Sequence, residues 1–294
     1  MATSSLRGRR VRGAGALIAL LVPACSLVVD LDGLTGGDGG TIDRTDASDA
    51  QSDHAVGTEA AIPDAGGSPY VSAVLADSPL AYYRFEEKTS APAHDSSGNG
   101  HDGVYAGGVD FGVPGALANE VSSGIHLNGT TAWVSVGDSF HFAGRAPMTV
   151  EAWVNPEALG SYHGVVTNES ADYRAGYRML VSAKEGLALE RIFLQADARA
   201  TSADTNALPA PPLGKWTHVV ATYDGTDVVL FVRGQEVMRH AQTLDIDPAS
   251  GAIFAIGARA SGTAPNFQGS LDEVAVYDHP LSAARIALHN ALGQ

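Results

Sequence analysis

WTHVVATYDGTDVVLFVRGQEV (residues 216–237) decides the fold class. Apolar and polar residues alternate on both sides of Asp224-Gly225, the period of two that places successive side chains on opposite faces of a β-strand. Asp-Gly tolerates the positive φ that a two-residue hairpin needs, so the segment reads as two antiparallel strands joined by a tight turn. Arg233-Gly234-Gln235 reads as a second turn of the same kind. The pattern recurs at Ala81–Phe85, GIHLNG (124–129), AWVSVG (132–137), MTVEAWVNP (148–156), GVVTN (164–168), YRMLVSA (177–183), LERIFLQA (189–196), AIFAIGA (252–258) and SLDEVAVYDH (270–279). Ten or more short strands separated by Gly, Pro, Asp and Asn are buried most economically by two packed antiparallel sheets. The expected fold is all-β, a two-sheet antiparallel jelly-roll sandwich. A short C-terminal helix follows Pro280, with Ile286, Leu288 and Leu292 as its packing residues.

The 294-residue chain carries 34 Gly and only 17% charged residues, a balance suited to a buried core and many turns. Residues 6–12, LRGRRVR, form a basic segment ahead of an apolar run from Ala14 to Ala24 that is too short to span a membrane stably. Residues 1–24 therefore read as a signal peptide. From Asp30 to about Pro69 acidic residues recur without an apolar face, so residues 25–69 read as an acidic, disordered tether and 70–294 as the folded domain. The formal charge is −15, and cleavage before Cys25 removes four arginines and no acid, leaving −19. Such a surface repels nucleic-acid phosphates and anionic lipid headgroups. Neutral ligands and divalent cations are easier partners.

Val22-Pro23-Ala24-Cys25 resembles the lipobox of bacterial lipoproteins, which implies lipidation of Cys25, the only cysteine in the chain. Ser26 after it, by the same resemblance, implies the outer membrane of a Gram-negative cell envelope. Five further segments, VLADSPLAYYRFEE (74–87), HDSSGNGHDGVY (94–105), TVEAWVNP (149–156), the pair WTHVVATYDG and VVLFVRG (216–234), and NFQGSLDEVAVYDHPLS (266–282), occur in the order seen in the laminin-G-like jelly roll of the concanavalin A-like lectin/glucanase superfamily. The likeness covers essentially all of residues 70–294. It departs from the family where Tyr83 replaces a frequent Trp and where Arg233-Gly234 replaces the usual Asp-Gly.

Asp95-Ser96-Ser97-Gly98-Asn99-Gly100 matches the opening of a calcium loop, with oxygen ligands at alternate positions and a Gly for the sharp turn, but Ala106 stands where an EF-hand places its bidentate Glu. Two readings stay open: a calcium site using Asp95 and Asn99, or a Gly-rich turn closed by Asx hydrogen bonds. By resemblance to relatives with a structural ion, Asp272 and Glu273 would complete the metal set. Trp133, Trp153 and Trp216 sit within alternating strands and read as packing residues. Tyr162, His163, Tyr173 and Arg174, in or beside a loop, are the candidate ligand contacts. The superfamily's glucanase motif, Glu-x-Asp-x-x-Glu, is absent. Leu271-Asp272-Glu273-Val274 lacks its first Glu and, as a regular strand, puts its acids on opposite faces. The expected function is a non-enzymatic binding or adhesion module for carbohydrate or protein. A purely structural envelope component and a polysaccharide-active enzyme are the alternatives.

Overall fold

The computed structural model describes residues 67–160, 163–172, 175–182, 186–192, 199–201, 210–242, 245–259, 262 and 266–294. Within these, helix α1 (Pro69–Ala76) precedes strands β1 (Ala81–Tyr83), β2 (Val104–Ala106), β3 (Asp110–Pro114), β4 (Ser123–Asn128), β5 (Trp133–Gly137), β6 (Met148–Pro156), β7 (His163–Glu169) and β8 (Gly176–Ser182). There follow β9 (Gly186–Ile192), β10 (Arg199–Thr201), β11 (Thr217–Tyr223), β12 (Asp227–Val232), β13 (Gln235–Ala241), β14 (Phe254–Ile256), β15 (Gln268–Tyr277) and helix α2 (Ala283–Leu292). No described helix is long and apolar enough to cross a membrane.

The strands form two antiparallel sheets, as the alternation predicts. One runs β13-β12-β11-β6-β15-β4-β3, with β1 also on β15, and the other runs β10-β9-β8-β7-β14-β5-β2. Local chemistry sets the turns. Asp224 Oδ1 accepts from the backbone N–H of Thr226 and Asp227 at 2.8 and 2.7 Å, and Gly225 takes φ 95°. Arg233-Gly234 forms the second predicted hairpin with both residues at positive φ, a conformation an arginine adopts at some cost. Ser68 caps α1 by accepting from Val71 N, with Pro69 at the first helical position, and Ser282 caps α2 by accepting from Arg285 N.

Between the sheets lies the main core, with Tyr83, Ile125, Leu127, Val150, Met179, Leu230, Phe254, Ile256, Phe267, Leu271 and Val274. A second apolar cluster lies on the other side of the larger sheet, where Tyr82, Trp153, Phe231 and Tyr277 pack against Tyr70 and Val74 of α1 and Ile286 of α2. The two helices thus roof the sheet's outer face. Period-two alternation predicts a wet outer face, but β6 and β11 are buried almost along their whole length. Leu288, expected to pack, is 39% exposed, because Ile286 takes the face toward the sheet.

Candidate functional site

The loop that resembles a calcium site is stitched to β1. Asp95 Oδ1 accepts from the backbone N–H of Tyr82 and Ser97, and Oδ2 from that of His101, each at 3.0 Å. Burial opposes its charge, yet hydrogen bonds from Ser97, His101 and Tyr82 prevail and hold the carboxyl below its usual range. Asn99 Nδ2 donates to the carbonyls of Pro79 and Leu80 at 3.0 and 3.1 Å. Both residues therefore act as turn-closing groups in the structure.

Asp272 and Glu273 occupy a different place. Residues 268–271 of β15 pair with β4, whereas residues 274–276 pair with β1. At that change of partner β15 bulges: between Asp272↔Trp153 and Ala275↔Glu151, three steps on β15 match two on β6, and Glu273 takes φ 50°. The bulge keeps Leu271 and Val274 both in the core and holds the two acids between them. The opposite-face expectation is thus corrected, since it assumed a regular strand. Asp272 Oδ2 accepts from Ala116 N at 2.8 Å and Oδ1 from Glu273 N at 2.9 Å. Glu273 accepts from Tyr82 Oη through Oε2, while its buried Oε1 has no hydrogen bond and faces Arg84 Nε at 3.6 Å.

Both acids are fully buried. Burial and the neighbouring Glu273 charge push Asp272 well above the usual carboxylate range. Burial pushes Glu273 up to about 8; Arg84 and Tyr82 oppose this while Glu86 and Glu120 reinforce it. The calcium implied by resemblance does not fit the four named residues as one set, because Asp95 and Asn99 are committed to backbone groups. Among the described residues no three His, Cys, Asp or Glu side chains gather into a metal-ligating group. Both Asp272 oxygens accept backbone N–H groups as well, so of the four residues only Glu273, through its orphaned Oε1, keeps an atom that a hard cation would satisfy.

His163, a candidate ligand contact, begins β7 at 9% exposure and accepts from Gly160 N through Nε2 at 2.9 Å. Burial lowers its pKa, against a backbone hydrogen bond involving Asn266. Tyr162, Tyr173, Arg174 and Cys25 lie outside the described residues. Trp153 packs under the helices and donates to Tyr70 Oη at 3.0 Å, while Trp133 and Trp216 are only partly buried.

Sequence reasoning missed a second acid centre, at Glu151 in the middle of β6. This fully buried carboxylate accepts from His218 Nε2 at 2.7 Å, Tyr277 Oη at 3.0 Å, His289 Nδ1 at 3.0 Å and Tyr70 Oη at 3.2 Å. His289 Nε2 also faces Asp77 Oδ2 at 3.1 Å, and Arg285 Nε donates to the same oxygen at 2.8 Å. Both helices are pinned to the sheet through these groups. Burial works against the charge of Glu151, but the two histidines outweigh it and hold its carboxyl far below the usual range. A third buried centre joins Glu169 of β7 to Arg178 of β8 at 2.6 Å and to Arg259 at 3.0 Å. Little in the sequence signalled Glu151, because it shares its strand face with Thr149, Trp153 and Asn155, the pattern of a solvated face.

The sequence model described as concanavalin A-like lectin/glucanases superfamily matches residues 128–287. No curated protein matches the chain by sequence. Among solved structures, domain 4 of AbnA, a GH43 extracellular arabinanase from Geobacillus stearothermophilus, determined in complex with arabinotriose, is similar at 20% identity and TM-score 0.56, over 74% of this chain and 98% of that one. The binding domain of Paraclostridial Mosquitocidal Protein 1 is similar at 16% identity and TM-score 0.56, over 74% of this chain and 52% of that one. The binding domain of botulinum neurotoxin DC, in complex with rat synaptotagmin II, is similar at 12% identity and TM-score 0.52, over 74% of this chain and 52% of that one. The chain thus spans about half of each toxin domain, and at these identities the likeness is one of fold.

Proposed function

Since the chain belongs to the concanavalin A-like lectin/glucanases superfamily, we propose that it is a non-enzymatic binding or adhesion module of the cell envelope that recognises a carbohydrate or a protein. One observation supports this reading above the others. The fully buried carboxylates Glu151, Glu169, Asp272 and Glu273 are engaged with groups of the fold itself. These four acids are therefore not available as the substrate-facing carboxyl pair that a hydrolase needs. Fold neighbours held with arabinotriose and with synaptotagmin illustrate the two ligand classes that this sandwich serves elsewhere.

In this reading Cys25 carries the lipid, residues 25–69 are the tether, and the domain stands off a Gram-negative outer membrane. Calcium is the candidate cation, with Glu273 Oε1 as the open ligand where β15 changes partner from β4 to β1. The test uses soluble protein beginning at Ser26 on an array of neutral and acidic glycans that includes arabinotriose, with turnover of the same glycans measured in parallel. Saturable binding without hydrolysis is the expected result. Release of reducing ends that a carboxylate substitution abolishes would overturn it.

A further inference from the structure

We propose that the depression of about 420 Å³ beneath the C-terminal end of α1 is a subsite for a neutral sugar ring. The proposal rests on the reading of the chain as a binding module and names where, and for what chemistry, it binds. The volume falls within the range of small-ligand pockets, about 300–1,000 Å³. Leu75, Leu80, Asn99, Asp278 and His279 line it, together with Ser78.

The walls are fixed before any ligand arrives. Leu80 N donates to Val276 O at 2.7 Å, which ties the approach to β1 onto β15. Asn99 donates to the carbonyls of Pro79 and Leu80, and Ser97 Oγ donates to Leu80 O at 3.3 Å. The loop that resembles a calcium site is therefore a wall of this depression. Opposite it, Thr149 Oγ1 donates to His279 O at 2.8 Å, and the His279 ring meets the Tyr277 ring edge-on with centroids 5.6 Å apart. Asp278 Oδ1 lies 3.0 Å from His279 Nδ1, which leaves the other carboxylate oxygen and Nε2 for a ligand. Ser78 holds φ 54°, a strained conformation for a residue with a Cβ, of the kind that concentrates at ligand clamps.

The chemistry of the lining selects the ligand. Asp278 and the Asn99 side-chain oxygen accept hydrogen bonds, and His279 Nε2 accepts or donates with its tautomer. Leu75 and Leu80 supply an apolar floor; Leu75 is 39% exposed and Asp278 62%. An apolar surface beside hydrogen-bond acceptors matches a sugar ring, which has a C–H face and a rim of hydroxyl donors. The lining contains a carboxylate and neither Lys nor Arg, so sugars bearing carboxylate or sulfate are disfavoured.

NMR titration of the protein beginning at Ser26 reads this directly. The probes are methyl glycosides of neutral pyranoses and pentofuranoses, with methyl glucuronide as the anionic control, and the reporter is the His279 ring, with His126 and His141 as references. The expected result is a saturable shift of His279 with at least one neutral glycoside and none with the glucuronide. Asp278→Ala should weaken that affinity about tenfold or more, the loss of charge-assisted hydrogen bonds, while leaving the melting temperature unchanged. His279→Ala is the second variant, with the resonances of Leu75 as reporter. Saturable shifts elsewhere with His279 and Leu75 silent would overturn the subsite and leave the binding reading standing. If no glycoside produces a saturable shift at any residue, the subsite falls, and the glycan array then decides separately whether the broader reading falls with it.

Discussion

Glu151 on β6 and Glu273 on β15 lie on neighbouring strands of one sheet, both fully buried, yet the protein treats them in opposite ways. Glu151 collects donors from four elements: Tyr70 of α1, His218 of β11, Tyr277 of β15 and His289 of α2. Glu273 receives Tyr82 Oη and a distant Arg84, and has Glu86 and Glu120 as like-charged neighbours. Burial disfavours charge at both. The number of donors decides the outcome: Glu151 is held ionised, whereas Glu273 is pushed up to about 8. One acid is a rivet for the roof of helices. The other, where β15 changes partners, is an acid that keeps its proton until about pH 8.

The same chemical change should therefore act with opposite sign at the two places. Glu151→Gln removes the charge that two histidines face and turns an amide N–H toward established donors. Breaking a buried pair of this kind costs about 3–5 kcal/mol, which for a domain of this size lowers Tm by roughly 6–20 °C. Thermal unfolding followed by circular dichroism measures it, and Trp153 fluorescence should report loosening of α1 and α2 before global unfolding. A loss under about 1 kcal/mol would mean that the apolar contacts of Ile286 and Tyr70 hold the roof without the carboxylate.

Glu273→Gln imitates the protonated acid and should be stabilising by about 1 kcal/mol or more at pH 8, with little effect at pH 5. The parent protein's pH profile follows from the same signs. Glu151 is depressed, so its contribution is present above its ordinary 4.5 and fades as pH falls. His289 is raised because Glu151 and Asp77 outweigh burial, so its contribution is full below 6.5 and fades as pH rises through its folded value. Glu273 is raised too, so its contribution is full below 4.5 and is lost as pH climbs through about 8. Stability should peak near pH 5 and decline toward pH 8, and the variant should flatten that decline. If millimolar calcium raises the parent's Tm, the rise should vanish in Glu273→Gln and persist in Asp95→Ala.

How much of this was legible depended on how far apart the determining residues are in the chain. Asp224-Gly225 and Arg233-Gly234 declared their hairpins because turn chemistry lies within four residues. The two-sheet class followed from alternation for the same reason. Glu151 was illegible because an outward strand position reads alike under water or under a helix, and the covering residues Tyr70 and His289 lie 81 and 138 positions away. Asp272 and Glu273 were found but set on opposite faces, because the bulge arises from pairing with β4 and then β1. Asp95 was ambiguous since a carboxylate in a Gly-rich loop suits either calcium or backbone N–H groups. The arrival of Tyr82 N, 13 residues earlier in the chain, settled its partners.

The smallest effect offers the finest test of the comparison, because it removes one hydroxyl from each centre. Tyr277→Phe leaves Glu151 with three donors, so it should cost about 1 kcal/mol, nearly constant between pH 5 and pH 8. Tyr82→Phe leaves Glu273 with Arg84 as its remaining favourable neighbour, at 3.6 Å. At pH 5 the acid holds its proton and the cost should again be about 1 kcal/mol. At pH 8 ionisation would have to proceed without the phenol, so the cost should exceed that of Tyr277→Phe. Urea unfolding of both variants at the two pH values gives four differences. Parallel losses for the two tyrosines across that range would show that donor number does not separate these acids, and the contrast between an acid held ionised and one held protonated would collapse.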